Sequence, residues 1–384
     1  MSESESSTRQ TPLFDLHREL DGRMVSFAGW ALPVRYGPGP VAEHLHTRRA
    51  ASLFDVSHMA IIELHATNLG VCAEALETRV PADVVGLSSG RQRYTVFTND
   101  DGGIIDDLIV AATGDYLTLV ANASRREVVV ALLADTLGPL GVEVIERDDL
   151  ALLALQGPDA VRVLSHLSPG ADALGFMEHE VFEVAGVGCR VSRSGYTGED
   201  GVELQVPAAS VEGVARALLD RPEVEPAGLA ARDSLRLEAG LCLYGNDLDE
   251  TTTPVEAGLS WSIPGRRRTD GGFPGAAVVA DQLRDLPPRL RVGLRTEGRR
   301  PVRADAELLD HSGEVVGRVT SGGYGPSFGG PIAMGYVPPP SAAPDTVLTA
   351  RERGRDETMI VTPLPFVTRR YRRRRSSDLF QESS

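Results

Sequence analysis

Two adjacent carboxylates interrupt an apolar run that has the composition of a β-strand. Residues 102–110 read Gly-Gly-Ile-Ile-Asp-Asp-Leu-Ile-Val, which places Asp106 and Asp107 between aliphatic neighbours. Strands disfavour aspartate, and a carboxylate that faces packed Ile and Leu loses hydration unless a partner compensates. At a ligand site such a group can orient a donor or exchange a proton with it. An aspartate at the wet edge of a sheet, or one that caps a turn, is the alternative at this point.

The strand pattern lets only one of the two aspartates face a given site. Side chains alternate along a strand, so Ile105, Asp107 and Ile109 share one face, while Asp106 and Leu108 share the other. A second β-type run, residues 94–98, precedes the turn formers at 99–103, and the two runs predict a β-hairpin. Periodicity does not choose between the two aspartates.

Composition excludes several classes of protein. The chain has 384 residues, 42% of them hydrophobic and 24% charged, which predicts a globular protein of two or three domains. A net charge of -15 argues against a nucleic-acid partner, because phosphate binding needs a basic surface. The sequence contains no lysine, which excludes a Schiff-base mechanism and a lipoyl-lysine on this chain. Any such carrier must belong to a partner.

The cysteines and the hydropathy pattern indicate a cytoplasmic protein. Cys72, Cys189 and Cys242 are widely spaced, without a CxxC or a His-Cys cluster, so we expect buried thiols in a reducing compartment and no metal site. No apolar run approaches the ~20 residues of a membrane span, and no membrane partner is expected.

The order of predicted elements suggests several domains in an α+β chain. Residues 59–149 predict strand, helix, strand pair, strand, helix and strand, the order of a ferredoxin-like domain that carries the Asp-Asp hairpin. Its second helix, residues 125–137, has apolar spacing at Val128, Leu132 and Thr136. From residue 289 to 371, short strands alternate with turns, which predicts a β-barrel-like or sandwich-like C-terminal domain. We expect a disordered lead-in over 1–10, a loop over 33–40, an arginine-rich linker over 263–288 and a flexible tail over 372–384.

Other polar positions have structural explanations. Arg232 and Arg236 lie four residues apart on one helix face, where a solvated or salt-bridged face is the commoner outcome. Asp55, Ser57 and His58 are too close on one extended segment to form a hydrolase triad, so His58 is interpreted as a satisfied histidine near a strand start.

The glycine-rich loop at 194–203 is a place where backbone can approach a ligand closely.

With these segments in hand, the chain resembles the aminomethyltransferase family, the T-proteins of the glycine cleavage system. The resemblance covers nearly all of 11–371 and rests on separate stretches in the right order: 25–30, 53–59, 102–110, 120–124, 155–158, 192–203, 226–237, 244–261, 317–326 and 365–371. It implies three domains in a ring around a central folate site, with 11–58 and 150–262 forming the folate-binding core domain.

The resemblance also implies a reaction and a partner. T-proteins move the one-carbon unit of an aminomethyl-dihydrolipoyl H-protein to tetrahydrofolate, which gives methylenetetrahydrofolate and releases ammonia. Tetrahydrofolate is the acceptor substrate, the lipoyl arm is supplied by the H-protein, and no metal takes part. The missing lysine fits this division, because the lipoyl-lysine belongs to the partner.

Residue roles carry over by position from the family. Asp107 resembles the essential acid, placed at the folate nitrogen that attacks the one-carbon unit, and desolvation should favour its neutral form unless donors hold it ionised. An arginine suits the anionic glutamate tail of folate, and a carboxylate suits the adjacent donors of the pterin edge. The implied folate contacts are the aromatic rings Tyr94 and Tyr196, the pterin-edge residues Asn122 and Glu203, and the substrate-contacting residues Arg232 and Tyr371.

Two other functions are compatible with a fold of this kind. The first is a folate-dependent demethylase acting on a sulfonium or N-methyl donor; flavin-linked versions carry an upstream Gly-x-Gly-x-x-Gly element that this chain lacks. The second is a non-catalytic folate-binding protein, whose Lys-Gly-Cys-Tyr-type motif is replaced here by the 194–203 loop. The arginine-rich linker and the long basic tail depart from the family pattern, and we expect both to affect docking of the H-protein.

Overall fold

The chain folds as an α+β protein with a closed C-terminal barrel, as predicted. We describe a computed structural model over residues 8–372; most of the predicted lead-in and all but the first residue of the predicted tail lie outside the described residues. The strands form a three-stranded sheet, a six-stranded sheet, a five-stranded sheet and a closed six-stranded barrel.

The first segment builds a small sheet and one strand of a larger one. Its elements are β1 Arg9–Gln10, α1 Phe14–Glu19, β2 Arg23–Phe27, β3 Trp30–Arg35, α2 Pro40–Arg49 and β4 Ala51–Asp55. The small sheet has the order β1-β3-β2. The loop predicted from residue 33 is wrong at its start, because Pro33 lies in β3 opposite Met24. Since β1 pairs only with Trp30 and Ala31, Pro33 needs no ladder donor on its other side.

The second segment is ferredoxin-like and carries the predicted hairpin. Its elements are β5 Ala60–His65, α3 Leu69–Glu77, β6 Arg91–Thr98, β7 Ile104–Ala112, β8 Leu117–Ala121, α4 Arg126–Leu137 and β9 Glu143–Glu146. All pairings in the sheet β6-β7-β8-β5-β9 are antiparallel. Strands β7, β8, β5 and β9 have the ferredoxin-like order, and β6 is an added edge strand. The hairpin β6-β7 places Tyr94 opposite Ile109 and Val96 opposite Asp107.

The apolar stripe predicted for the second helix of this segment is wrong by one residue. Helix α4 buries Val129, Leu133 and Leu137, whereas Val128 is 42% exposed. Thr136 instead donates its hydroxyl to the carbonyl of Leu132 within the helix. Both stripes have the same spacing of four residues, so periodicity alone does not separate them, and packing on the sheet selects the one that buries the larger apolar groups.

The third segment completes the large sheet around β4. Its elements are β10 Leu150–Gln156, α5 Ala160–Leu167, β11 His179–Val184, β12 Val187–Ser192, β13 Gly201–Pro207, α6 Val211–Leu219, β14 Val224–Pro226 and α7 Leu229–Glu238. The sheet order is β11-β12-β13-β10-β4-β14, so β4 lies between two strands that follow it by about a hundred residues or more. Segments 8–58 and 150–262 are thereby joined by backbone pairing.

The last segment contains two helices and the barrel. Its elements are α8 Gly265–Asp270, α9 Ala276–Asp285, β15 Leu290–Thr296, β16 Glu307–Leu309, β17 Val315–Gly325, β18 Gly330–Val337, β19 Val347–Glu352 and β20 Arg355–Thr362. The barrel closes in the order β15-β18-β17-β16-β19-β20. Short 3-10 turns lie at Ala123–Arg125, Gly138–Leu140, Ala171–Ala173, Ala208–Ser210, Ser260–Ser262 and Pro339–Ser341. Within residues 8–372, we find no helix whose length and hydropathy would let it cross a membrane.

Buried carboxylates fasten these units to one another. Glu238, the last residue of α7, accepts hydrogen bonds from His44 and Arg48 of α2 and from the backbone N–H groups of Ser327 and Phe328, which belong to the barrel. A second buried carboxylate has the same function on the other side of α7. Asp247 accepts from Arg236 at 2.9 Å and from Ser321 of β17 at 2.8 Å.

The arginine-rich segment between the large sheet and the barrel is also tied down. Arg266 of α8 bonds to Glu77 of α3 and, over 2.6 Å, to Asp83. Arg267 donates to the Glu77 and Val80 carbonyls. These contacts hold α8 against the ferredoxin-like segment, and two of the arginines expected to affect partner docking are used inside the chain.

Candidate active site

The two aspartates of β7 lie in different environments. Asp106 is fully buried and points to the same side as Leu108, whereas Asp107 is half-buried and lies on the face of Ile105 and Ile109. This alternation is the one predicted from the strand period. Asp107 is therefore the aspartate that can reach a ligand, and Asp106 lies behind it.

One side-chain amide bonds to both aspartates. Asn122, directly after β8, donates through Nδ2 to Oδ1 of Asp106 at 2.8 Å, to Oδ1 of Asp107 at 2.7 Å and to the Asp107 carbonyl at 3.1 Å. Its backbone N–H donates to Oδ2 of Asp106 at 3.2 Å. The amide nitrogen is thus committed to the acidic pair, and Oδ1 of Asn122 is the atom left to accept from a ligand.

Tyr94 holds the other oxygen of Asp107. Its hydroxyl donates to Oδ2 of Asp107 at 3.1 Å. The ring of Tyr94 stacks on Trp261, with centroids 5.4 Å apart and an interplanar angle of 28°. Trp261 is 65% exposed, so this aromatic pair leads from the surface to Asp107. Both oxygens of Asp107 therefore have a donor, which fixes the carboxylate in one orientation.

The surroundings separate the protonation states of the two aspartates. Burial raises the pKa of Asp107 to about 6, although the hydrogen bonds from Asn122 and Tyr94 oppose this rise. Burial and the negative charge of Asp107 raise the pKa of Asp106 to about 8. Asp106 therefore keeps its proton to higher pH than Asp107, and between their two pKa values the pair carries one negative charge. Desolvation raises the pKa of Asp107, as expected, but not far enough to keep the group neutral.

A second cluster gathers around the loop between β12 and β13. Tyr196 donates its hydroxyl to the carbonyl of Cys242, and the guanidinium carbon of Arg232 lies 4.8 Å from the centroid of the Tyr196 ring. Burial lowers the pKa of Arg232, and the charge of Glu203 opposes that shift. Glu203, on β13, accepts a hydrogen bond from Ser194 at 2.6 Å. Nη1 of Arg232 is buried and has no hydrogen-bond partner among the described residues, which makes it a free donor for a ligand.

Apolar packing joins the two clusters. Tyr94 packs against a core group that contains Val96, Ile104 and Cys242. The carbonyl of Cys242 is the acceptor of the Tyr196 hydroxyl, so one residue touches both clusters. A cavity between the five-stranded and six-stranded sheets is lined by Ile109, Val120 and Glu203, among others. This cavity is small, about 20 Å³, and it lies between Ile109, which shares the β7 face of Asp107, and Glu203 of β13.

Tyr371 lies near the end of the described chain and packs beside the loop that carries Tyr196. Its ring stacks on Phe176, with centroids 4.3 Å apart and an interplanar angle of 10°. Arg370 donates its backbone N–H to the carbonyl of Gly198 at 2.8 Å, and Phe176 donates to the carbonyl of Arg372 at 3.0 Å. The end of the described chain thus packs against the loop that carries Tyr196. No described hydrogen bond links Tyr371 to Asp107 or Arg232.

The structure adds two buried polar groups with unpartnered atoms that the sequence did not single out. Thr118 lines the cavity, and its buried hydroxyl has no partner among the described residues. His58 is 3% exposed, and the interpretation of it as a satisfied histidine is wrong for Nδ1, which is buried and without a partner in the described chain. Burial and the nearby Arg232 lower the pKa of His58 to about 4, so the ring is neutral. An unpartnered buried hydroxyl leaves no sequence signal, whereas His58 lies within a stretch that the resemblance already marked.

The described residues, 8–372, contain no group of three or more His, Cys, Asp or Glu side chains arranged to hold a metal ion. The assembled site consists of a half-buried carboxylate with two fixed donors, a neutral acid behind it, an unpartnered arginine donor and a second carboxylate across a cavity. Such a site can bind a flat polar ring and move a proton at one edge of it.

Comparisons with known families cover both halves of the chain. The model described as "GCVT N-terminal domain" matches residues 13–266. The model described as "Glycine cleavage T-protein C-terminal barrel domain" matches residues 289–368. Together they span the sheets that carry the site and the barrel.

Curated relatives and a solved structure match over nearly the full length. The chain is 48% identical over 378 residues to "Aminomethyltransferase, mitochondrial" of Canis lupus familiaris, covering 97% of this chain and 93% of the relative. It is 47% identical over 373 residues to the protein of that name from Homo sapiens, covering 94% and 91%. The crystal structure of glycine cleavage system aminomethyltransferase T from Bartonella henselae matches with a TM-score of 0.90 at 42% identity, covering 96% of this chain and all of that one.

Proposed function

Since the chain belongs to the glycine cleavage T-protein family of aminomethyltransferases, we propose that the site around its acid pair carries out one-carbon transfer to tetrahydrofolate. The donor is the aminomethyl-dihydrolipoyl arm of the H-protein. Two folate nitrogens each lose a proton and bond to the transferred carbon, whose bonds to the amino nitrogen and to sulfur break. The two protons end on the released ammonia and on the dihydrolipoyl thiol.

Asp107 is the group that handles these protons. Its pKa of about 6 leaves it ionised at neutral pH, so it can accept a proton from a folate nitrogen and return it to a leaving group. The donors Asn122 and Tyr94 keep the carboxylate in one orientation at the ligand face. Holding the amine and the aminomethyl group in contact lowers the barrier further, by as much as ~7 to 11 kcal/mol in well-oriented reactions. The half-buried, doubly held carboxylate of Asp107 is the observation that carries the proposal.

The other predicted residues bind the folate. Glu203 accepts from the adjacent donors of the pterin edge, and Oδ1 of Asn122 accepts a further one. Arg232 contributes its unpartnered Nη1 to an anionic or carbonyl group of the folate, in keeping with its predicted contact to the glutamate tail. Tyr94 and Tyr196 supply ring surfaces, and Tyr371 contacts the substrate from the C-terminal segment.

The partner and the compartment are part of the proposal. The lipoyl arm comes from the H-protein because this chain has no lysine to carry it. Trp261, stacked on Tyr94, lies on the exposed side from which a long arm can reach Asp107. We keep the cytoplasm as the proposed compartment; the curated relatives named above are mitochondrial proteins, and cell fractionation tests the point.

The deciding experiment is ammonia release from aminomethylated H-protein, measured with and without this protein and with and without tetrahydrofolate. We expect release that requires the protein and rises strongly with the folate. Tight folate binding without such release would contradict the proposal and direct attention to methylated sulfonium and amine donors.

A further inference from the structure

Asp106 has no direct route to a ligand, yet it is bound to the residue that holds Asp107. Its side chain is fully buried on the core side of β7. Both of its oxygens accept from Asn122, one from the backbone N–H at 3.2 Å and one from Nδ2 at 2.8 Å. Burying a carboxyl group this deeply costs free energy that only hydrogen bonds or charge pairing compensate. The side-chain donor that it meets among the described residues is the Asn122 amide, and backbone N–H groups of Asn122 and Asp107 also interact with it.

The two carboxyl groups together determine which way the Asn122 amide faces. An asparagine side chain can turn by half a rotation, which exchanges its oxygen and its NH2 group. If Asn122 turned, its oxygen would lie 2.7 Å from Oδ1 of the ionised Asp107, which is a repulsive contact, and its NH2 group could no longer donate to Oδ1 of Asp106. A protonated Asp106 still accepts through the oxygen that does not carry its proton, so Asp106 supports the orientation that Asp107 requires, from a position that no substrate disturbs.

We propose that Asp106 is a positioning residue for the transfer reaction: by accepting from Asn122, it fixes the amide that holds Asp107 and turns Oδ1 of Asn122 toward the folate. This inference rests on the proposed function. It assigns a role to the aspartate that the sequence resemblance left aside. The two carboxyl groups lie on opposite faces of β7, and the Asn122 side chain is hydrogen-bonded to both of them.

Protonation gives this arrangement a pH dependence. The titratable groups that interact with the pair are Tyr94, Tyr196, Cys242 and Asp247 around Asp107, and Tyr244 beside Asp106. The pKa of Asp106 is raised to about 8, so Asp106 loses its proton only after Asp107 has done so. Above that pH the pair carries two negative charges, and the charge on Asp106 then repels the charge on Asp107. Activity should therefore fall at an acid limb near pH 6 and change again near pH 8.

The test compares Asp106→Asn, Asn122→Ser and the double variant with the wild type, all assayed with aminomethylated H-protein and tetrahydrofolate. An amide at position 106 would turn an NH2 group toward the donors of Asn122. We expect Asp106→Asn to lower kcat by ~10- to 100-fold, the scale of a small misplacement, with a smaller change in KM for the folate. The acid limb should remain, and the change near pH 8 should disappear.

The double variant separates positioning from mere support of the fold. If Asp106 acts through Asn122, the double variant should have the kcat of Asn122→Ser alone, since residues in one network are non-additive. The proposal would be overturned if the reductions in kcat of the two single variants multiplied in the double variant. It would also be overturned by an Asp106→Asn enzyme with wild-type kcat and an unchanged alkaline limb. Wild-type turnover is measured first, because the absence of turnover in the wild type would contradict the proposed function itself.

A matched control lies in the same sheet. Glu63, on β5, is also a buried carboxylate, and it bonds to Arg147 at 2.6 Å and to His65 at 3.0 Å, away from Asn122. Glu63→Gln should lower the melting temperature but keep the kcat and pH profile of the wild type. If Asp106→Asn does not fold, Asp106→Ser takes its place, and a folded Asp106→Ser enzyme with wild-type kcat overturns the proposal; if neither folds, support of the fold accounts for Asp106 and the positioning role is overturned.

Discussion

Tyr94 and Asp107 lie on the two strands of one hairpin, two register positions apart, and the Tyr94 hydroxyl donates to Oδ2 of Asp107 over 3.1 Å. Diagonal pairs of this kind are within reach of an aromatic side chain across an antiparallel ladder. The bond stabilises the ionised carboxylate and so lowers its pKa against the effect of burial. A tyrosine on the edge strand therefore tunes the acid of the neighbouring strand.

Removing this hydroxyl should shift the acid limb of activity. A hydrogen bond to a charged group contributes about 1.5 kcal/mol or more, which corresponds to about one pKa unit. In Tyr94→Phe, Asp107 should protonate about one unit higher, so the fall in kcat at low pH should begin near pH 7 in place of pH 6. The measurement is the kcat profile between pH 5 and 9. Tyr324→Phe, in the barrel and 46% exposed, should keep the wild-type limb, and an unshifted limb in Tyr94→Phe would argue against the tuning.

The acid itself is tested by Asp107→Asn. The amide keeps the size of the side chain but neither accepts a proton readily nor carries charge. We expect turnover to fall by at least ~100-fold, the low end for positioned acid-base groups, while folate affinity and melting temperature change little. Stopped assays of ammonia release, together with a folate titration, make the comparison. A fully active variant would remove Asp107 from the mechanism.

Arg232 should act on binding more than on chemistry. Its unpartnered Nη1 and its place beside Tyr196 and Glu203 point to a folate contact. Losing a charged hydrogen bond of 1.5 to 3 kcal/mol corresponds to about 10- to 100-fold in affinity. In Arg232→Ala, we expect weaker tetrahydrofolate binding by calorimetry and nearly wild-type turnover at saturation. Arg162→Ala, on an exposed face of α5, is the control, and equal affinity in the two variants would count against the contact.

Glu238 is predicted to matter for stability. Hydrogen bonds from His44, the barrel backbone and Arg48 offset burial and lower its pKa to about 2. Because the folded state binds fewer protons there than the unfolded state, this contribution is present above about pH 4.5 and is lost as the pH falls toward 2. Glu238→Gln should cost ~3 to 5 kcal/mol at pH 7 in urea unfolding, as expected when one partner of a buried pair is removed.

The difference between Glu238→Gln and the wild type should shrink in acid. The exposed carboxylate of Glu212, paired with Arg216, provides the matched control, and Glu212→Gln should change the free energy of unfolding by less than ~1 kcal/mol. A Glu238→Gln protein as stable as the wild type at neutral pH would show that the junction of α2, α7 and the barrel does not depend on this charge.

The parts of the fold with strong local patterns were predictable from the sequence. The period of two in 102–110 gives the opposite faces of Asp106 and Asp107, and the turn formers at 99–103 give the hairpin. The order of elements gives the ferredoxin-like sheet and the barrel. In each case, residues close in sequence determine the outcome.

The parts that depend on distant packing were not predictable. Asn122 bridges the two aspartates only because β8 pairs with β7, and the buried stripe of α4 is chosen by the sheet beneath it. The orphaned Nδ1 of His58 and the pairing of Arg236 with Asp247 depend on elements that the chain brings together over long separations. The family resemblance could choose Asp107 over Asp106, but it could not reveal that both are bound to one amide.

The last described residues of the chain pack against the loop that carries Tyr196. The loop therefore depends on the C-terminal segment for part of its backbone hydrogen bonding. The carbonyl of Gly198 accepts from the backbone N–H of Arg370, 172 positions later, and the carbonyl of Glu238 accepts from the N–H of Val367. Strand β20 ends at Thr362, so Val367 and Arg370 follow the barrel by only five and eight positions. A translation product that stopped after β20 would contain every sheet and still leave the carbonyls of Gly198 and Glu238 without these donors. The backbone hydrogen bonding of the Tyr196 loop therefore depends on residues 367–370 and not on the sheets alone.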